Sequence, residues 1–196
     1  LNARVIADPF HLFDCVMPCS GAEAVLVVAD DVAADIDRPG VRILASCEIH
    51  NAFPGELSGL SAGWEILGEE LWEATGYRPR DMDFAQLYDD YPIVVGLQLE
   101  GYGFCGQGEC GVFLETTDIS NWGELPINTG GGQLSVGQSG AGGSMIHVVE
   151  AVQQLQNEAG ERQVVGAERG LVSGYGMFSY ARGLCTAATI LECDER

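Results

Sequence analysis

The stretch Asn128–Leu155, NTGGGQLSVGQSGAGGSMIHVVEAVQQL, constrains this chain more than any other, because a glycine-dense turn runs directly into a helical pattern. Gly130, Gly131, Gly132 and Gly137 permit backbone angles that a side chain forbids. Gly140, Gly142 and Gly143 leave the approach bare, and from Ser144 the residues Met145, Val148, Val149, Val152 and Leu155 recur on one helical face. Two readings stay open. A helix N-terminus presents unpaired N–H groups and partial positive charge, so the turn can receive an anion or a developing oxyanion. Equally, the glycines can serve only to let a helix pack closely on a sheet.

Upstream, the pattern predicts a loop and edge region over 1–20, interrupted by Pro9 and Pro18. The β-branched run in GAEAVLVVAD (21–30) predicts a buried strand, followed by a short acidic turn or helix over Asp31–Ile36 and a second strand over Val41–Ile49. A Gly-, Pro- and Ser-rich excursion spans Asn51–Gly63. Trp64–Thr75 is an amphipathic helix, with Trp64, Leu67, Leu71 and Trp72 on one face and Gly76 ending it. Phe84–Tyr88 reads as a short strand, and Pro92 opens a helix over Ile93–Tyr102. Gly101–Gly111 is a loop and Val112–Leu125 is irregular. Closing strands at Gly170–Ser173 and Thr186–Leu191 flank the loop GYGMFSYARG. The alternation predicts an α/β layered fold, a mixed sheet covered by helices. Its 196 residues suffice for one domain or for half of a larger two-domain protein.

Charge narrows the function. The formal net charge is -20, from 29 acidic and 9 basic residues, and every basic residue is an arginine. Such a chain repels a phosphate backbone, so no nucleic-acid partner is expected. The acidity resembles that of proteins adapted to high salt. Without lysine, no ε-amine is available for a Schiff base. Seven cysteines (15, 19, 47, 105, 110, 185 and 193) with no secretory signal predict free thiols, mostly buried, in a reducing cytoplasm. Cys15/Cys19, Cys105/Cys110, His11, His50 and His147 follow no metal-ligand spacing, so no metal is expected. The longest apolar runs, such as Ala24–Ala29, fall short of a membrane span. The start at Leu1, without initiator Met, reads as a mid-protein segment.

Three segments resemble the C-terminal half of the thiolase superfamily, nearest its sterol-carrier or lipid-transfer type. These are LYDDYPIVVGLQLE (87–100) with the GYGFCGQGECGVFLE that follows, LPINTGGGQLSVGQSGAGG (125–143) and GAERGLVSGYG (166–176). The first is similar to the family's His-Asp-Cys-Phe segment, the second to its Asn-x-x-Gly-Gly followed by Gly-His-Pro, and the third to its last active-site strand and loop. The likeness runs from about Phe10 to Leu191, so that 1–196 reads as one thiolase-like C-terminal domain whose N-terminal half, with the nucleophilic cysteine, would lie elsewhere.

The departures from that pattern carry the chemistry. Gln138 stands where the family has its activating histidine, and an amide cannot shuttle protons near neutrality. Tyr88 takes the place of the other histidine, Asp90 that of an acid/base cysteine, and Ser173-Gly174-Tyr175-Gly176 offers no cysteine. The resemblance therefore implies a branch like the thiolase-like steroid side-chain aldolases, which cleave a β-hydroxyacyl-CoA to a ketone and a shorter acyl-CoA. Tyr88, Asp90, Gln138 and Tyr175 are the implied catalytic set. Asn128, Gly131, Gly132, Gly137, Ser173 and Gly174 would bind substrate or an oxyanion. No cofactor is expected, with the coenzyme A thioester as substrate. The expected partners are a second copy, through the thiolase-type dimer, and a small OB-fold acyl-CoA-binding protein. Two alternatives stand beside this: an acetyl-CoA C-acyltransferase with an altered base, and a non-catalytic acyl-CoA-binding or scaffold subunit. Each site residue also has a plain reading: Tyr88 and Tyr175 as packed aromatics, Asp89 or Asp90 as a cap for the helix at Pro92, His147 as a packed residue.

Overall fold

A computed structural model describes residues 3–55, 61–179 and 182–194. Its centre is a four-stranded mixed sheet of β3 (Val41–His50), β6 (Arg182–Cys193), β5 (Arg169–Ser179) and β4 (Phe84–Gln86), in that spatial order. The first two pairings are antiparallel and β4 lies parallel to β5. A small ribbon, β1 (Val5–Ala7) with β2 (Phe10–His11), stands apart from it. The helices are α1 (Asp30–Ala33), α2 (Trp64–Thr75), α3 (Pro92–Gly101), α4 (Cys110–Thr116), α5 (Gly132–Val136) and α6 (Met145–Leu155).

Side chains alternate across a strand, so a sheet covered on both faces needs apolar residues at successive positions. That is what β4, β5 and β6 supply. Ala85, Leu171 and Ile190 join one cluster with Trp64, Leu67 and Leu71 of α2 and Leu99 of α3. Their chain neighbours Phe84, Val172 and Leu191 join the other, with Ala151 and Leu155 of α6. The α2–α3 contact is tight: a Cβ on Gly101 would lie 2.5 Å from Trp64 Cβ. Trp72 Nε1 donates to the Tyr102 carbonyl at 3.0 Å and ties the end of α2 to the end of α3. Leu67 is 1 % exposed in this layer. Leu67→Ala is expected to destabilise the fold by about 2–5 kcal/mol, measured as a shift in the denaturation midpoint.

On the second face, α6 is held by a buried polar chain. Thr129 Oγ1 accepts from Gln86 Nε2 at 2.8 Å and donates to Glu150 Oε1 at 2.8 Å. Arg162 donates to Glu150 Oε2 at 2.9 Å. Burial pushes the Glu150 carboxyl up, but these donors and Gln154 outweigh it and hold its pKa below the usual value.

The α/β layered architecture is as expected, and α2 and α3 fall where their patterns place them. Four local expectations are corrected. Residues 21–29 form no strand, and Leu26 and Val27 are 81 % and 77 % exposed. The run has strand composition, but a strand needs a neighbour, and none of the described residues supplies one. Part of 112–125 is the helix α4 rather than irregular chain. The loop expected over 174–183 is mostly strand, because β5 and β6 continue pairing to Ser179↔Arg182; Tyr180 and Ala181 lie outside the described residues. All seven cysteines are free, as expected, but none is fully buried, and Cys19 is exposed. Among the described residues no helix is long and apolar enough to cross a membrane.

Candidate active site

The site is built where the chain leaves β4. Two side-chain amides there take the place of a neighbouring strand. Asn128 Oδ1 accepts from the Leu87 N–H at 2.7 Å, and its Nδ2 donates to the Leu87 carbonyl at 2.9 Å. Gln98 of α3 does the same for the next residue: Oε1 accepts from the Tyr88 N–H at 3.1 Å and Nε2 donates to the Tyr88 carbonyl at 2.7 Å. These bonds satisfy buried backbone groups that have no ladder partner, and they fix the base of the Tyr88 side chain. Asn128 adopts a left-handed φ of 50°, which Asn tolerates better than most residues.

The Tyr88 phenol meets the glycine-rich segment. Gln138 Nε2 donates to Tyr88 Oη at 2.9 Å and to Gln133 Oε1 at 3.1 Å. Gln138 is itself strung between backbone groups: its N–H donates to the Met17 carbonyl at 2.8 Å, and its carbonyl accepts from Cys19 N–H at 3.0 Å. Gly137 makes this crossing possible. It has φ 100°, and a Cβ there would lie 2.8 Å from Cys19 Sγ. Tyr175 of β5 presents its ring edgewise to Tyr88, centroids 5.8 Å apart, and packs on Trp64 at 5.1 Å.

Two adjacent carboxylates have different surroundings. Asp89 is 3 % exposed and accepts from the N–H groups of Gln133 at 2.8 Å and Leu134 at 3.3 Å, the first turn of α5. His147 Nε2 approaches Asp89 Oδ1 at 3.2 Å, too poorly aligned for a straight hydrogen bond. The expectation that Asp89 or Asp90 caps the helix at Pro92 is corrected: the N-cap of α3 is Tyr91, with no side-chain cap, and Asp89 caps α5 instead. The turn does receive an anion, and that anion is the chain's own Asp89. The close-packing reading holds as well, since a Cβ on Gly132 would lie 2.0 Å from Asp89 Oδ2.

Asp90 has no comparable donors. It is 6 % exposed, and its Oδ1 has no hydrogen-bond partner. Burial pushes its pKa up to about 6, against an opposing hydrogen bond from the Tyr91 backbone. Burial, reinforced by the Asp90 charge, pushes Tyr88 up to about 12, with the Gln138 hydrogen bond opposing. At neutral pH the site therefore pairs a protonated phenol with a carboxylate close to its titration point.

Of the sequence-predicted residues, Tyr88, Gln138 and Tyr175 meet around one point, and Asp90 is close enough for its charge to act on Tyr88. Gly131 and Gly132 open α5, and Gly137 closes it. Asn128 spends its amide on Leu87. Ser173 turns away, its hydroxyl 2.8 Å from Tyr102 Oη in the buried core, and Gly174 pairs with Ala187 inside the sheet. His147 is buried, as its plain reading has it. Sequence reasoning passed over Gln98 and Gln133. The available signal was their polarity: both are fully buried amides, Gln98 amid the apolar residues of PIVVGLQLEG.

The thiolase C-terminal domain-like family model matches residues 56–188, more than half of the chain. The chain belongs to the thiolase superfamily. It is 36% identical over 184 residues to the 17-hydroxy-3-oxo-4-pregnene-20-carboxyl-CoA lyase of Mycobacterium tuberculosis, covering 88% of this chain and 45% of that protein. It is 33% identical over 141 residues to the steroid side-chain-cleaving aldolase of Thermomonospora curvata, covering 68% of this chain and 36% of that one. Among solved structures, an Ltp2-ChsH2(DUF35) aldolase superposes with a TM-score of 0.79 at 25% identity, over 100% of this chain and 50% of that chain. The chain thus spans about half the length of the relatives it matches, with the layered architecture of a thiolase-type half.

Proposed function

We propose that this thiolase-type domain contributes the acid–base side of a lyase that cleaves a β-hydroxyacyl-CoA by retro-aldol reaction. One observation carries the proposal: a buried phenol held by the amide of Gln138, beside a carboxyl whose pKa is raised to about 6. The lyase and aldolase names of the relatives support the same reading. In this scheme the Asp90 carboxylate takes the β-hydroxyl proton. The Cα–Cβ bond breaks, the former carbinol carbon becomes a ketone, and the bond's electron pair passes into the thioester enolate. The Tyr88 phenol donates a hydrogen bond to that enolate and then its proton to Cα, giving the shorter acyl-CoA. The proton held by Asp90 restores Tyr88. Because Gln138 donates to the phenol oxygen, the phenol's own hydrogen stays free to point at a ligand. Tyr175 closes the aromatic wall, and the glycine turn at Gly131, Gly132 and Gly137 shapes the side facing the thioester.

No lysine is required by this scheme and none exists in the chain. The acyltransferase reading would require a proton shuttle at the position of Gln138, where an amide cannot serve. We further propose that the working form is an assembly, a dimer of the thiolase type together with a small acyl-CoA-binding subunit. The exposed apolar Leu26 and Val27 and the two-component name of the aldolase structure favour it.

The test uses the full-length protein with its partner subunit and a β-hydroxyacyl-CoA, following ketone and shortened acyl-CoA together. Production of neither overturns the proposal. With turnover in hand, kcat/KM is expected to rise as pH passes through about 6, where the base ionises, and Asp90→Asn should lower it by about 10²–10⁴-fold and flatten that limb in the residual activity. Stability should run the other way. The folded state holds the Asp90 proton more tightly than the unfolded chain does, so this group's contribution is fullest below the ordinary carboxylate pKa and is lost as pH rises through about 6. Asp90→Asn is therefore expected to raise the melting temperature above pH 7 while lowering activity.

A further inference from the structure

Further along the β5–β6 hairpin, just beyond Tyr175, a second cluster of side chains lies apart from the Tyr88 contacts. Cys185 of β6 is the direct cross-strand partner of His50 on β3 and of Gly176 on β5. Its Sγ is 3.3 Å from His50 Nδ1 and 3.6 Å from Met177 Sδ. The last contact is not what a regular strand provides. Gly176 is the residue opposite Cys185, and alternation would send the next side chain, Met177, to the other face. Met177 instead has a left-handed backbone, φ 55°, which costs a non-glycine residue about 1–3 kcal/mol. That turn brings its thioether beside the thiol, after which pairing resumes at Phe178↔Gly183.

We propose that Cys185, Met177 and His50 form a binding site for a soft monovalent metal ion, Cu(I). A thiolate and a thioether select soft metals, imidazole is compatible with copper, and no hard oxygen donor sits among the three. Sulfur and nitrogen ligands held about 2.0–2.3 Å from a common ion lie about 3.5–4 Å from one another, close to the two spacings from Cys185 Sγ to its neighbours. Glu48 Oε1 lies 3.5 Å from His50 Nε2, on the side of the ring away from Cys185. A carboxylate there orients the imidazole so that Nδ1 is the ligating nitrogen. Binding displaces the thiol proton and forms a sulfur–copper bond with no change of oxidation state. A nucleophilic cysteine activated by His50 would use the same thiol and imidazole, but it would have no use for the strained Met177. The thioether decides in favour of a metal.

The chain is reduced, kept anaerobic and titrated with Cu(I) in competition with bathocuproine disulfonate. Wild type is expected to withdraw a single equivalent from the chelator, Cys185→Ser to lose it, and Met177→Leu and Glu48→Gln each to weaken it about tenfold or more, with unchanged far-ultraviolet circular dichroism. Because six other cysteines are present and a variant can misfold, the wild type is also alkylated with iodoacetamide with and without Cu(I) and mapped by mass spectrometry. Protection of Cys185 by the metal supports the site. Equal alkylation of Cys185 in both conditions, or equal retention of copper by wild type and Cys185→Ser, overturns it.

Discussion

Tyr88→Phe is expected to lower kcat for β-hydroxyacyl-CoA cleavage by about 10²–10⁴-fold, the usual contribution of a positioned acid or base. The substitution removes one oxygen and leaves the ring that packs edgewise on Tyr175. The backbone clamp from Gln98 is untouched, so the fold should survive. What is lost is the acceptor for Gln138 and the proton that the phenol supplies. Burial and the Asp90 charge keep that phenol protonated throughout the neutral range, so in the proposed scheme it acts as a donor, which phenylalanine cannot do. KM should change far less than kcat, because the interaction strengthens as charge develops on the enolate. Single-turnover measurement of ketone release separates this from a slowed product release. Wild-type turnover in Tyr88→Phe would remove the phenol from the mechanism.

The second large effect is structural. Gly132→Ala is expected to destabilise the protein by about 4 kcal/mol, a large part of the stability of an ordinary domain. Two costs combine. The residue has φ 60°, where a Cβ is unfavourable, and that Cβ would lie 2.0 Å from Asp89 Oδ2. Asp89 must then withdraw and release the N–H groups of Gln133 and Leu134, leaving a buried carboxylate without its donors. The expected readout is a lower denaturant midpoint with an unchanged slope. Gly111→Ala is the control, because nothing lies within 4 Å of a Cβ there and the residue sits inside α4, where alanine is the better helix former. Equal midpoints for Gly132→Ala and wild type would mean that Asp89 does not hold α5 in place.

Much of this was legible in the chain alone. Trp64, Leu67 and Leu71 announce α2 by spacing, and Pro92 marks the first turn of α3. The closing strands expected at Gly170–Ser173 and Thr186–Leu191 lie within the β5 and β6 that the structure forms. Gln138 in place of a histidine was readable from the resemblance and excluded a proton shuttle without any coordinates. The strand expected at 21–30 was not borne out because strand formation depends on a neighbour, and composition says nothing about which neighbour is present. The loop expected at 174–183 was misread for a related reason: Gly174, Tyr175 and Gly176 look like a turn, while the register between β5 and β6 carries them through as strand.

The sequence by itself determined the layered α/β class, the resemblance to the thiolase superfamily, the absence of lysine from the chain, and the absence of histidine and cysteine from the positions where that family has them. The class follows from residue type and periodicity, which are local, and the rest from reading the family's motifs against residues 87–100, 125–143 and 166–176. Only the tertiary structure decided what the acidic pair does. Asp89 and Asp90 are adjacent and chemically identical, yet one is satisfied by the amides of a helix 43 residues downstream and the other is buried with an oxygen unpaired. A carboxylate's pKa and role are set by the donors and solvent that reach it, and those come from segments distant in the chain.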